Sequence, residues 1–137
     1  YQIVTERLKK DGIVIVQSGS ASISENDVFT SIYHTLNKVF PHVFPYVTYI
    51  PSYALPWGFC MATHNPSNLD IPGEEIDARI NAKITGNLRF YDSITHHSLF
   101  NLPKYLRTDI QRQRRIIQDK DPLMEHYPGI SVESTTP

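Results

Sequence analysis

Two apolar runs, Val43–Ile50 (VFPYVTYI) and Trp57–Thr63 (WGFCMAT), are separated only by Pro51-Ser52-Tyr53-Ala54-Leu55-Pro56. Both are rich in β-branched and aromatic residues and read as strands. A parallel pair needs a crossover of a dozen or more residues, so this connection leaves only an antiparallel hairpin. Pro45 has no N–H to give a ladder, which places the first strand at a sheet edge, at a bulge or at a late start. The Ile50–Phe59 stretch is therefore read as a loop carried between strands, with Tyr53 at its tip. Loops on a rigid sheet are where ligand contacts concentrate. The alternative is a hydrophobic turn whose aromatics finish a core.

Upstream, Ile3, Val4 and Leu8 share one helical face, and Lys9 and Lys10 close the helix where cations suit its dipole. Asp11-Gly12 is expected to end it, with glycine in a left-handed cap. Ile13–Val16 is an unbroken β-branched run and reads as a strand buried on both faces, as in a parallel sheet. Gln17 and Ser18-Gly19-Ser20 follow at that strand's carboxyl end, where open α/β sheets bind ligands. Ser22 with Glu25, and Ser24 with Asp27, form two overlapping capping boxes. The helix they would open carries Val28, Phe29, Ile32, Tyr33, Leu36, Val39 and Phe40 on one stripe and stops at Pro41. Helix, buried strand, helix and hairpin together predict an α/β sheet that finishes in an antiparallel hairpin.

Downstream, Asn65-Pro66-Ser67-Asn68 is a turn and Glu74–Lys83 a short helix, with Gly86 just beyond. Leu88–Tyr91 reads as briefly extended and Asp92–Phe100 as irregular. Asn101 caps a last helix, with Pro103 in its first turn and apolar spacing maintained to about Gln118. Residues 121–137 form a polar tail, expected to be disordered over Glu125–Pro137. No internal repeat or second domain is evident.

Composition excludes several classes. Thirteen basic residues against fourteen acidic ones leave no footprint for nucleic acid or an anionic membrane. No apolar run reaches the length of a membrane span. The one cysteine, Cys60, lies in an apolar run and reads as a buried free thiol, which fits a reducing, cytoplasmic setting. Six histidines show no His-x-x-x-His pair, and no cysteine pair completes a zinc site, so no metal is expected. Arg107, Arg112, Arg114 and Arg115 interleave with Asp109, Asp119 and Asp121 and read as a solvated or intersubunit helix face. There is no glycine-rich nucleotide loop and no nucleophile elbow. Tyr1 stands where a start methionine would, already in helical patterning, which suggests a fragment or a processed chain.

Asp11–Gln17, Val28–Phe40 and Ile50-Pro51-Ser52-Tyr53 with Trp57-Gly58-Phe59 resemble the spermidine synthase family of polyamine aminopropyltransferases. Phe90-Tyr91-Asp92, His96 and Phe100-Asn101-Leu102-Pro103 resemble that family's usual ending. The likeness runs in order through most of residues 1–110. It implies the carboxyl-terminal half of a Rossmann-like, methyltransferase-type sheet over residues 1–120, closed by the hairpin and followed by a helical extension.

The resemblance also implies a chemistry. Family members transfer an aminopropyl group from decarboxylated S-adenosylmethionine, a co-substrate rather than a cofactor, to an amine, releasing methylthioadenosine. The family's glycine motif and catalytic aspartate precede the matching part, so no catalytic residue is expected in this chain. Tyr53 matches the loop tyrosine that contacts the amine, Gln17 matches a glutamine beside it, and Trp57 is placed with them along the acceptor channel, a core role being its alternative. The commonest family loop reads Pro-Thr-Tyr-Pro-Ser-Gly, whereas Pro-Ser-Tyr-Ala-Leu-Pro-Trp-Gly is more similar to thermospermine synthases and related archaeal or bacterial enzymes. Spermidine and agmatine thus stand beside putrescine as acceptors. A homo-oligomer, dimer or tetramer, is the expected assembly. A non-catalytic relative and an S-adenosylmethionine-dependent methyltransferase are the competing readings.

Overall fold

The computed structural model describes residues 1–68 and 71–123. The elements run α1 (Gln2–Arg7), β1 (Ile13–Ser20), α2 (Asp27–Leu36), β2 (His42–Ile50), β3 (Leu55–Thr63), α3 (Gly73–Lys83), α4 (Ser93–Phe100) and α5 (Lys104–Arg112), with 3₁₀ turns at Pro51–Tyr53 and Pro66–Asn68. The three strands form a sheet in the order β1-β3-β2. β3 pairs antiparallel with both neighbours, so the hairpin expected from the short connection forms, and among the described residues β2, with Pro45, is an edge strand. β3 starts at Leu55, two residues ahead of the expected start, which leaves only Pro51–Ala54 as the connection.

The sheet has two unlike faces, because strand side chains alternate. Val14, Ala62 and Val43 form one row, and Val16 and Cys60 belong to the next. Both rows face α2, whose Phe29 and Leu36 are fully buried in a core that also holds Ala21, Phe40, Leu102 and Leu106. Burying each large side chain stabilises the fold by roughly 1.5–3 kcal/mol. Of the expected stripe, Phe29, Ile32, Tyr33 and Leu36 join the core from α2, while Val28 does not, and Val39 and Phe40 join it from the segment beyond, because α2 ends at Leu36, short of Pro41. Gly58 lies beneath Phe29, where a Cβ would come within 2.5 Å of the ring. Cys60 is a buried free thiol. Burial pushes it up to about 12, against a smaller opposite pull from the Ser18 hydroxyl.

Several expectations are corrected. Ile13–Val16 is not buried on both faces: Ile13 and Ile15 are 39% and 52% exposed, because α2 covers only one side of β1. β1 pairs antiparallel with β3, and among the described residues its other edge is unpaired. Gly12 is not a left-handed cap, since α1 ends at Arg7 with an extended Leu8. Its missing side chain instead admits Leu8, which would lie 2.8 Å from a Cβ. The capping boxes do not form: Ser22 and Glu25 bridge each other in a turn, and α2 begins at Asp27 after Asn26. Leu88–Tyr91 contributes no strand.

Asp92–Phe100 is not irregular. Asp92 accepts from the Thr95 N–H at 2.7 Å and caps α4, while Asp77 on α3 accepts from the Ser93 N–H and hydroxyl at 2.9 and 2.6 Å. Asn101 closes α4 rather than capping α5, which follows Pro103 and ends at Arg112, short of Gln118. The Ile116 and Ile117 segment is held differently, by Ile117 N–H donating to Thr35 Oγ1 at 3.0 Å. The arginine-rich face is exposed except for Arg115, which pairs with Asp121 at 3.3 Å. The polar tail lies, from residue 124 onward, outside the described residues.

Candidate functional site

The face of the sheet turned away from α2 carries the residues of interest. Gln17, Phe59 and Tyr46 form one row across all three strands, and Trp57 stands one row further along β3, paired with Ser20 and Thr48. Between those rows Ser18 and Gly19 of β1 oppose the single Gly58 of β3, a bulge. Gly19 takes φ 89° there, a conformation glycine adopts without strain. The bulge leaves Gln17 at the last regular pair, exposed, beside the end of the hairpin.

The hairpin connection sets Tyr53. Pro51 begins the 3₁₀ turn with a φ it already prefers, and Ala54 closes it at φ 55°, its N–H donating to Ile50 and Pro51 carbonyls at 3.1 and 3.2 Å. Ala54 is the one non-glycine residue with positive φ among the described residues. Tyr53 is left 45% exposed, with its ring centroid 4.5 Å from that of Trp57 at an interplanar angle of 45°. Gln17 Nε2 donates to Tyr53 Oη at 3.4 Å, a long contact that bridges residues far apart in the sequence. Gln17, Tyr53 and Trp57, singled out separately in the sequence, thus form one continuous wall.

That wall carries no charge. It offers the Gln17 amide carbonyl, the Tyr53 hydroxyl and two aromatic faces. Such a surface can accept hydrogen bonds from an ammonium and attract it to the ring quadrupoles. It holds no carboxylate or imidazole, so it can orient an amine but has no base to take its proton.

Beside the wall lies an aromatic cluster that joins Tyr91, His96 and Phe100, from the family-like ending, to Tyr46 and Phe59 of the hairpin, a grouping that the sequence does not show. Tyr46 and Phe59 stack at 5.1 Å, and Phe100 of α4 meets Tyr46 at 5.4 Å. His96 packs on Phe100 at 5.0 Å, and its Nδ1 shares a 2.6 Å hydrogen bond with Tyr91 Oη. Burial, with a smaller effect from the neighbouring His97, holds His96 below its ordinary 6.5. Burial also raises Tyr91 and Tyr46. The signal that could have located this cluster was Asp92, a good N-cap residue three positions before the Thr95 N–H it accepts. A groove of about 770 Å³ between α1, the end of α2 and residues 116–120 includes none of the wall residues.

The family model described as the spermine/spermidine synthase domain matches residues 1–71. A polyamine aminopropyltransferase of Sulfolobus acidocaldarius is 38% identical over 125 residues, covering 90% of this chain and 40% of the relative. A thermospermine synthase of Arabidopsis thaliana is 30% identical over 133 residues, covering 96% of this chain and 39% of the relative. The crystal structure of spermidine synthase from Thermotoga maritima superposes with a TM-score of 0.67 at 21% identity, over 82% of this chain and 39% of that one, and so shares its fold. The chain spans about 40% of the length of the curated relatives it matches. With its family model matched from α1 through the hairpin, the chain belongs to the spermine/spermidine synthase family.

Proposed function

We propose that residues 1–120 are the carboxyl-terminal half of the catalytic domain of a polyamine aminopropyltransferase, and that they supply the acceptor side of its site. The sheet is read as the end of a Rossmann-like, methyltransferase-type sheet. In support, β1 and β2 run in one direction with β3 reversed between them. The observation that carries the functional reading is the Gln17–Tyr53 contact: the two residues matched to the family's acceptor site from separate motifs meet at 3.4 Å.

In the proposed reaction an amine nitrogen attacks the carbon next to the sulfonium of decarboxylated S-adenosylmethionine. A C–N bond forms, the C–S bond breaks, and its electron pair returns to sulfur, which leaves as the neutral thioether methylthioadenosine. The amine's proton passes to a carboxylate, assigned to the family aspartate in the part of the relatives that this chain does not span. Gln17 Nε2 is directed to Tyr53, which leaves Oε1 to accept from an amine N–H. The Tyr53 ring flanks the amine's methylenes and fixes its line of approach.

The test is methylthioadenosine release by the full-length protein, with decarboxylated S-adenosylmethionine and putrescine, agmatine or spermidine in turn. Release with at least one amine, and no methyl transfer from S-adenosylmethionine, is the expected result. No release with any of them would sink the proposal, and methyl transfer would replace it with the methyltransferase reading.

A further inference from the structure

Trp57 differs in kind from its two neighbours in the wall. Gln17 and Tyr53 present polar atoms at the surface, whereas Trp57 is half-buried and its enclosed indole N–H has no hydrogen-bond partner among the described residues. An enclosed donor left unpaired is unfavourable, so what keeps the indole in place is the packing of its ring. It also stands on β3, the central strand, held by pairing to Ser20 on one side and Thr48 on the other. Tyr53, by contrast, sits on a four-residue connection that ends in the left-handed Ala54. Among the described residues, its hydroxyl has only the long Gln17 contact to orient it.

We propose that Trp57 is a positioning residue: its ring, 4.5 Å from the Tyr53 ring, holds the phenol where its hydroxyl meets Gln17. The indole acts on the amine through Tyr53 and not through its own N–H. This inference rests on the acceptor-side reading of Tyr53. The central strand thereby fixes a side chain carried on the hairpin connection, as precise sites require.

The experiment uses the full-length protein with saturating decarboxylated S-adenosylmethionine. It compares Trp57→Phe, Trp57→Ala, Tyr53→Ala and the double variant Trp57→Ala/Tyr53→Ala. Trp57→Ala is expected to raise the amine KM about tenfold, as Tyr53→Ala does, and the double variant to be no worse than Tyr53→Ala alone. Trp57→Phe, which restores a ring without an N–H, is expected to recover most of the loss. Multiplying effects in the double variant, or a Trp57→Phe as impaired as Trp57→Ala, would overturn the proposal.

A second readout does not depend on turnover. The nuclear Overhauser effect between the Gln17 side-chain amide and the Tyr53 ring should vanish in Trp57→Ala and persist in Trp57→Phe. Its persistence in Trp57→Ala overturns the positioning role whatever the kinetics. An unchanged amine KM in Tyr53→Ala instead removes the acceptor-side reading and leaves this effect to decide the positioning. Should Trp57→Ala fail to fold, Trp57→Leu, which keeps apolar bulk but no ring, takes its place in both measurements.

Discussion

Tyr53 is the residue on which the acceptor reading turns, and its hydroxyl is the atom to remove. Tyr53→Phe keeps the ring against Trp57 and deletes only the group that Gln17 contacts. In the full-length enzyme it should weaken the amine kcat/KM roughly fivefold, the ~1 kcal/mol of one hydrogen bond. The KM for decarboxylated S-adenosylmethionine should be nearly unchanged, and a large rise there would place Tyr53 on the nucleotide side. Gly58 is a residue of the opposite kind, set by packing alone. A Cβ would lie 2.5 Å from Phe29 Cδ2, on a strand with no room to retreat. Gly58→Ala should therefore cost roughly 1–3 kcal/mol of stability, read as a lower urea midpoint. An unchanged midpoint would mean that α2 yields more easily than its buried ring suggests.

Among the elements, α4 makes the most specific claim about pH. His96 on its inner face is buried against Phe100, and Tyr91 and His97 are the titratable groups beside it. Burial holds the imidazole below 6.5, so the folded form binds a proton less readily than the unfolded one. Its contribution to stability is therefore complete above about 6.5 and is lost as pH falls through that value toward the lowered folded one. Unfolding should become easier between pH 7.5 and pH 5. His96→Asn, which keeps a polar atom near Nδ1 but does not titrate, should flatten that part of the profile. A profile equally steep in both forms would assign the pH dependence elsewhere. α4 also shows how an element escapes a periodicity reading. Its inner face is aromatic and imidazole instead of aliphatic, and its start depends on Asp92 and on Asp77 from another helix.

Across the whole molecule, one core joins the layers. Leu102 and Leu106, from the far end of the chain, enter the same buried cluster as Phe29, Leu36, Cys60 and Ala62, and Tyr105 donates to the Ala21 carbonyl at 2.7 Å. Leu106→Ala should accordingly cost about 2–5 kcal/mol and weaken more than α5. Hydrogen exchange should accelerate together for β3 and α5 amides, whereas acceleration confined to α5 would show two independent units. No helix among the described residues is long and apolar enough to cross a membrane.

Where a signal is local, a few neighbouring residues are enough to fix the outcome. The short connection required an antiparallel hairpin, the 3.6-residue stripe of α2 required a core face, Pro45 required an edge or an irregularity, and Cys60 in its apolar run became a buried thiol. The resemblance picked out Gln17, Tyr53 and Trp57 one at a time. Features that depend on distant partners become visible only once the chain has folded. The burial of β1 is set by which of its faces α2 covers, Gly12 answers to Leu8 and not to a helix cap, and α4 begins where Asp77 meets Ser93. The wall itself belongs to this second class. A strand bulge at Gly19 and a turn at Ala54 must both form before Gln17 and Tyr53 come within 3.4 Å, and no spacing within either motif encodes that approach.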